Sequence, residues 1–460
     1  MKWHKRPMIN SPPAAPGPNP NAWFWTCSLD CRPDATATLM RCGMTIKKHV
    51  VVIGAGPTGL LTAYGLAKQG VHVTVVEERA MLDDSPRAMV YLPSSLKALD
   101  DLGLLEEAEK VGARGHAFTM RFASGYIGEL DHRVLQVHTP YYYTLHFGQH
   151  VLAKLILEQL LKLPNASVLW GTRFNRVVDN AQRVAVEVST EAGEQRLEAD
   201  WVVAADGARS AVRKSLGIEF EGFTWPDTFM ATNVYFDFAA HGYCENTMIA
   251  DPVNWAVISK ISNDNLWRVA YGERTDWTEE ERQANVAKRY EHFLPEGASY
   301  TLDRASSYRV HQRCASTYRA GRVLLAGDAA HATSPIGGLG FTAGIQDAVT
   351  LIEALGLVLK GHDEDVLDYY AAERRRIFLD IVNPLAIEHK RRVQEADPGR
   401  RAQDEEGFRK MASDPNYVRN ALMNLFALVS IPYSADWRDR LGEQDTREPH
   451  AMPLFTATHD

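Results

Sequence analysis

The chain has 460 residues, enough for more than one ordinary domain with its own core. Its 45% hydrophobic and 23% charged content is that of a globular protein and excludes a largely disordered one. A formal net charge of -8, with no dense Lys/Arg block, argues against a nucleic-acid partner, and no apolar run reaches the ~18 residues of an integral membrane segment.

Residues 1–43 differ in character from the rest. Ser11–Pro20 (SPPAAPGPNP) buries little and reads as extended or disordered, and the short apolar stretch at Trp23–Trp25 lacks the form of a signal peptide. Met44 is a natural start for the fold, so 1–43 is expected to be a disordered or non-native leader. The cysteines, Cys27, Cys31, Cys42, Cys244 and Cys314, are odd in number and scattered, which is no disulfide framework. No second pair completes a metal site with Cys27 and Cys31. A reducing, cytoplasmic setting and no bound metal are expected.

His49–Ile53 (HVVVI) is a β-branched run suited to a strand buried on both faces. Gly54, Gly56 and Gly59 follow as G-x-G-x-x-G, with Pro57 and Thr58 between. The first glycine allows the turn, the second lets backbone approach a pyrophosphate, and the third lets helix pack on strand. Leu60–Gln69 reads as helix closed by Gly70, and Val71–Val76 as a second strand ending in Glu77, placed to hydrogen-bond a ribose hydroxyl. Free N–H groups and the helix dipole favour a phosphate at such a helix start. An acid at the strand tip suits FAD or NAD and disfavours a 2′-phosphate.

Further along, Ala204–Arg213 reads AADGARSAVR and Arg322–Gly340 reads RVLLAGDAAHATSPIGGLG. With GAGPTGL, these resemble the three motifs of the para-hydroxybenzoate hydroxylase-like, single-component FAD-dependent aromatic monooxygenases, over about His49 to Tyr370. The resemblance implies an α/β fold: a three-layer FAD-binding Rossmann-like domain, a discontinuous α+β substrate domain with a mixed or antiparallel sheet, and C-terminal helices. The expected division is FAD-binding 44–218 and 313–385, substrate-binding 219–312, and a helical 386–460.

The resemblance also implies roles. Glu77 would hold the adenosine ribose, and Arg87 would lie by the flavin and its pyrophosphate. Gln149, at a helix start, would contact the cofactor. Asp206 and Gly207 would sit near the pyrophosphate and the transient nicotinamide path. Gly327-Asp328 would bind the ribityl chain, Pro335 would lie against the isoalloxazine, and Gly337, Gly338, Leu339 and Gly340 would pass its pyrimidine end. The helix Phe341–Leu359 would bring a partial positive charge to an anionic reduced flavin. Taken alone, Pro335–Gly338 is a helix-start turn and Asp206 an ordinary turn residue. The family often has Gln and Asn where this chain has Leu339 and Thr342.

Thr228–Phe238, Thr247–Ile261 and Leu266–Tyr271 read as strands of a sheet over the flavin. Arg268 faces away from Trp267 and Val269 by alternation and is the candidate partner of a substrate phenolate or carboxylate; the plain alternative is a solvated or acid-paired arginine. Asn233, Tyr235, Trp255 and Tyr271 are further pocket candidates, with core packing as the default reading for each. His331 reads as structural, and Ala421–Ile431 as a packed terminal helix. The catalytic candidates are therefore Pro335 and Arg268.

The function implied is an FAD-dependent monooxygenase using NAD(P)H as transient co-substrate and O2 to hydroxylate a phenolic small molecule through a flavin hydroperoxide, as a monomer or homodimer. The cofactor carries the hard step. An epoxidase or Baeyer–Villiger-type oxygenase with the same motifs, or a non-oxygenating flavin reductase or dehydrogenase, is the alternative.

Overall fold

The computed structural model describes residues 48–445 save Pro86, with no account of the side chains of 442–445. The leader and the Cys27/Cys31 pair lie outside the described residues.

The strand His49–Ile53 forms the middle of a six-stranded sheet, with His72–Val76 and Ala166–Leu169 on one side and Trp201–Ala204, Val323–Leu325 and Arg319–Ala320 on the other. All neighbours run parallel except the last pair. Val50, Val51 and Val52 are fully buried, as a strand covered on both faces requires. The helices Pro57–Lys68, Gln149–Leu160 and Leu339–Leu359 supply the covering layers of the same core. A meander of Arg173–Asn180, Val184–Thr190 and Gly193–Ala199 and a small sheet of Val90–Tyr91, Ala113–Gly115 and Thr144–His146 complete this half. The architecture is α/β, as expected.

An eight-stranded mixed sheet forms the second half. Its order is His331–Ala332, Thr301–Ala315, Phe220–Tyr235, Leu266–Glu273, Ala256–Lys260, Asn246–Ala250, Ala117–Phe122 and Ile127–Asp131. Two strands thus come from the chain ahead of residue 219. Helix Glu279–Phe293, opened by a capping box of Thr278 and Glu281, packs Val286, Tyr290 and Phe293 on one face of this sheet. The C-terminal helices Pro398–Ser413 and Pro415–Met423 pack on the other through Phe408, Met411, Val418 and Leu422.

Several elements differ from expectation. Thr247–Ile261 is two strands, because the Asp251 carboxylate accepts from the backbone N–H groups of Val253 (2.8 Å) and Asn254 (2.6 Å) and turns the chain. The strand expected at Thr228–Phe238 begins at Phe220 and ends at Tyr235, its register shifting between Thr224 and Thr228, where Pro226 has no N–H to offer. Ala421–Ile431 is the end of helix Pro415–Met423 followed by a tighter turn, Asn424–Leu428. Leu339–Leu359 is long and apolar enough to cross a membrane, with a mean hydropathy of 1.4 over its best window, but 72% of that window is buried between other elements. It is the central helix of the core.

Among the described residues burial depresses five histidines, His150 and His311 modestly and three more strongly: His132 to about 4, His146 to about 3 and His389 to about 4. In the unfolded chain each titrates near 6.5. The unfolded state therefore binds more protons between about pH 4 and 6.5, so stability is full above pH 6.5 and falls as pH drops toward 4. Each histidine removes at most about 2 kcal/mol at pH 5. The thermal midpoint should fall steadily from pH 7 to 5, and less so in His146→Phe; a midpoint flat over that range contradicts the assignment.

Candidate functional site

The carboxyl end of the strand His49–Ile53 meets the turn after Trp201–Ala204. Gly54 takes a left-handed φ of +106°, and a Cβ there would lie 2.4 Å from the Ala205 carbonyl oxygen. A Cβ on Gly59 would lie 2.1 Å from the Gly54 carbonyl oxygen. Only glycine satisfies both approaches. Gly56 is exposed with nothing within 4 Å of its Cβ direction. Helix Pro57–Lys68 starts beside it with no side-chain cap, so among the described residues its leading N–H groups, including those of Thr58 and Gly59, receive no capping side chain. The Glu77 carboxylate, at the end of the second strand, accepts from the backbone N–H groups of Ala55 (2.8 Å) and Arg79 (3.1 Å). The turn and the strand-tip acid are thereby brought together.

Asp206 stands beside the same turn, but its carboxylate accepts from Ser210 Oγ (2.6 Å) and from the N–H groups of Ala211 (2.7 Å) and Val212 (3.2 Å). It orders the start of the short helix Ala211–Ser215. Gly207 follows with φ +79° and open space around it.

A second loop closes on the first. Gly327 has φ +59°, and its Cβ would sit 2.8 Å from Thr58 Oγ1, so this turn presses on the glycine helix. Asp328 next to it is open to solvent, yet surrounding protein pushes its carboxyl pKa upward while His331 and Arg87 pull it down. A group both reachable and hemmed in lies on the floor of a cleft. Pro335 is exposed on the following turn, and Gly338, at φ +69°, opens helix Leu339–Leu359 without a side-chain cap. Gln312 fixes this turn: its Nε2 donates to Thr333 Oγ1 (2.7 Å) and Asn383 Oδ1 (2.7 Å), and its Oε1 accepts from the Ser334 N–H (3.1 Å). Leu339 points into the core, fully buried, while Gly340 faces Thr333. The Thr342 hydroxyl donates back to the Gly338 carbonyl (3.0 Å). The two departures from the family pattern therefore direct their side chains into the protein.

The inner face of the large sheet lies over the Pro335 turn. Register places Phe229, Ala231 and Asn233 opposite Gly272, Ala270 and Arg268, and opposite Tyr308, Ser306 and Arg304 on the other neighbour. Phe229 and Val310 share a cluster with Ile336, which ties this face to the turn. Arg268 is 2% exposed. Its Nε donates to Asn233 Oδ1 (3.0 Å), and Nη1 donates to the Arg87 carbonyl and contacts Met89 Sδ (3.5 Å). Among the described residues no carboxylate is within ion-pair reach of it. Burial pulls its pKa down to about 10, and Tyr308 is pushed up to about 12 by burial against the opposing pull of Arg268 and Arg87.

The remaining candidates divide. Trp255 packs on Phe229 at 4.9 Å between ring centroids and stands against Gly272 on the inner side. Tyr271 is on the opposite face, its ring tilted against Phe293 at 5.6 Å between centroids, and Tyr235 is exposed at the strand end. Tyr271 thus follows the core-packing default and not the pocket reading, while for Tyr235 both readings are corrected, since it is exposed; both faces of the sheet are covered, so aromatic character does not tell inner from outer. Arg87 turns its guanidinium to Asp83 (3.3 Å) and Ser85 (3.2 Å), while remaining close enough to act on Asp328. Gln149 opens its helix half-buried, its N–H donating to the Ala88 carbonyl (2.9 Å). His331 is structural, buried and bonded to Asp347 at 2.7 Å. Tyr308, His389 and Asp347 were not legible as site-related, although a lone Asp inside the apolar stretch of Leu339–Leu359 was a signal.

The geometry fits FAD: a glycine turn with open space above it, two uncapped helix starts and a carboxylate on a cleft floor. The family model described as FAD binding domain matches residues 47–383. Para-nitrophenol 4-monooxygenase of Pseudomonas sp. (strain WBC-3) is 41% identical over 381 residues, 82% of this chain and 94% of that protein. The 6-hydroxy-3-succinoylpyridine 3-monooxygenase HspB of Pseudomonas putida is 37% identical over 385 residues, covering 82% of this chain and 98% of that one. The crystal structure of p-nitrophenol 4-monooxygenase PnpA from Pseudomonas putida DLL-E4 superposes with a TM-score of 0.82 at 41% identity, over 84% of this chain and 99% of that one. The motifs, the fold and these likenesses agree: the chain belongs to the single-component FAD-dependent aromatic monooxygenases.

Proposed function

We propose that this enzyme hydroxylates an acidic phenol, or a comparable hydroxy-substituted aromatic ring, bound as its anion beneath the inner face of the large sheet. Arg268 carries this reading. A buried guanidinium with neutral acceptors and no carboxylate is costly unless an anion joins it. A phenolate there would be stabilised as the charged form, and the same charge enriches its ring for attack by electrophilic oxygen. The relatives named above act on p-nitrophenol and a hydroxypyridine, rings that carry a hydroxyl and an electron-withdrawing substituent.

FAD, once reduced by NAD(P)H, supplies the oxygen chemistry: one atom of O2 goes to the ring and the other leaves as water. The chain's part is to hold and orient. The Thr58 and Gly59 N–H groups at the glycine turn, lined by Gly54, Gly56 and Pro57, suit the pyrophosphate, and Glu77 suits the adenosine ribose. Asp328, presented by Gly327, suits the ribityl hydroxyls. The N–H groups after Gly338, at Leu339 and Gly340, suit the electron-rich end of the reduced ring, and Pro335 would lie against it. Gln149 and Arg87 would contact its edge, and Asp206-Gly207 order the neighbouring turn. On this reading 44–218 and 313–385 bind FAD, and 219–312 with the strands at 117–131 bind the aromatic substrate. A monomer or homodimer in a reducing cytoplasm is the setting proposed.

Asp328→Ala should raise the FAD dissociation constant roughly tenfold or more, since it removes charge-assisted hydrogen bonds. Purified variant with full yellow occupancy would contradict that role. Arg268→Gln should leave FAD retention intact, lower kcat/KM for an acidic phenol by roughly 10- to 100-fold and move the pH at which activity rises upward toward the phenol's own pKa. An unchanged kcat/KM and pH profile would remove Arg268 from the site. Products formed under labelled oxygen would show ring hydroxylation; an ester or epoxide would assign the chain to the other oxygen chemistries.

A further inference from the structure

Asp347 lies in the middle of helix Leu339–Leu359 and is fully buried. Its Oδ1 accepts from Arg374 Nε at 2.7 Å. Its Oδ2 pairs with His331 Nε2 at 2.7 Å and accepts from the backbone N–H of Gly327 at 2.9 Å. Burial alone pushes the carboxyl upward, but His331 and Arg374 overcome it and hold the group at about 2, so it is a carboxylate at any ordinary pH. Arg374 reaches beyond it. Nη1 donates to the Leu428 carbonyl (2.7 Å) and to Ser430 Oγ (3.2 Å), and Nη2 donates to the Ala343 carbonyl (3.2 Å).

A buried ion pair of this kind adds little net stability, since desolvation cancels most of the attraction. Its geometric effect is specific. The Ala326 N–H still pairs with the Ala204 carbonyl, as the last rung of the parallel sheet. The next N–H, that of Gly327, has left the sheet in a left-handed turn and donates to Asp347. That peptide unit sets the direction in which Asp328 is presented. The turn is also confined from above, because a Cβ on Gly344 would lie 2.9 Å from Thr58 Oγ1 and 3.4 Å from the Gly327 Cα.

We propose that Asp347 is a positioning residue for FAD: by holding the Gly327 N–H it aims Asp328 at the ribityl chain, and through Arg374 it ties that aim to the segment around Leu428–Ser430. The proposal rests on the assignment of Asp328 to FAD, and the test separates the two. FAD affinity is measured by fluorescence titration for the wild type, Asp347→Asn, Asp328→Ala and the double variant, alongside melting of each apoprotein. Asp347→Asn keeps the shape and removes the charge. It should weaken FAD roughly tenfold in the wild-type background and less than about threefold in the Asp328→Ala background, because the two act in one chain of contacts. An equal loss in both backgrounds, or no loss in a folded Asp347→Asn, overturns the proposal. Unchanged affinity in Asp328→Ala alone would instead overturn the assignment beneath it. If Asp347→Asn does not fold, Arg374→Lys serves: it keeps the charge but loses the planar fork that joins Asp347 to Leu428. FAD should then weaken several-fold, again only with Asp328 present, and wild-type affinity in a folded Arg374→Lys overturns the proposal.

Discussion

Three segments far apart in the chain approach within the width of a single Cβ atom at one end of the parallel sheet. Gly54 stands against the Ala205 carbonyl, while Gly327 and Gly344 both stand against Thr58 Oγ1. These approaches join the start of the glycine helix, the turn bearing Asp206 and the turn bearing Asp328. A methyl group at Gly54 would push backbone against backbone, which no side-chain rotation relieves, and would part the segments that make the cofactor cleft. The rest of the FAD half follows from this junction. Two helix starts come to the same end of the sheet with their N–H groups uncapped, and the acid at the tip of the second strand is drawn onto the Ala55 N–H.

Two buried arginines show how the fold sorts charge. Arg374 is matched inside the protein by Asp347, and its remaining donors find carbonyls. Its charge is answered and its role is architectural. Arg268 is equally buried but meets only amide, carbonyl and thioether atoms. Burial pulls the Arg268 pKa down, and among the described residues no carboxylate within ion-pair reach offsets that cost. The large sheet is suited to carry such a group: its other face is filled by helix Glu279–Phe293, which holds Trp267 and Val269 in place and with them the backbone from which Arg268 projects.

Much of the cofactor half was legible because its motifs are short and their constraints are backbone constraints. A left-handed turn or a backbone approach demands glycine at a fixed place, and a buried parallel strand demands a β-branched run, so His49–Gly59 and Val323–Gly340 announce themselves locally. The sheet over the flavin was less legible. Thr247–Ile261 is divided at Asp251-Pro252, where the proline has no N–H for the ladder and the Asp251 carboxylate accepts from the next two N–H groups. Tyr271 and Arg268 differ in which face they take, and alternation sorted Arg268 from Trp267 without telling which side holds the site, because helices cover both.

The amino-acid sequence by itself therefore determined the α/β class, the dinucleotide turn, the family and the position of Arg268 relative to its strand neighbours. The class, the turn and the alternation around Arg268 follow from covalent geometry and side-chain period within some twenty residues, whereas the family was implied by the resemblance of three motifs spread over His49 to Tyr370. Only the tertiary structure decided that Asp206 accepts from the first N–H groups of helix Ala211–Ser215, that among the described residues no carboxylate is within ion-pair reach of Arg268, and that Asp347 accepts from the Gly327 N–H. Those facts depend on which groups meet across long stretches of chain, and a hydrogen bond between residues 268 and 233, or 374 and 428, has no local signature.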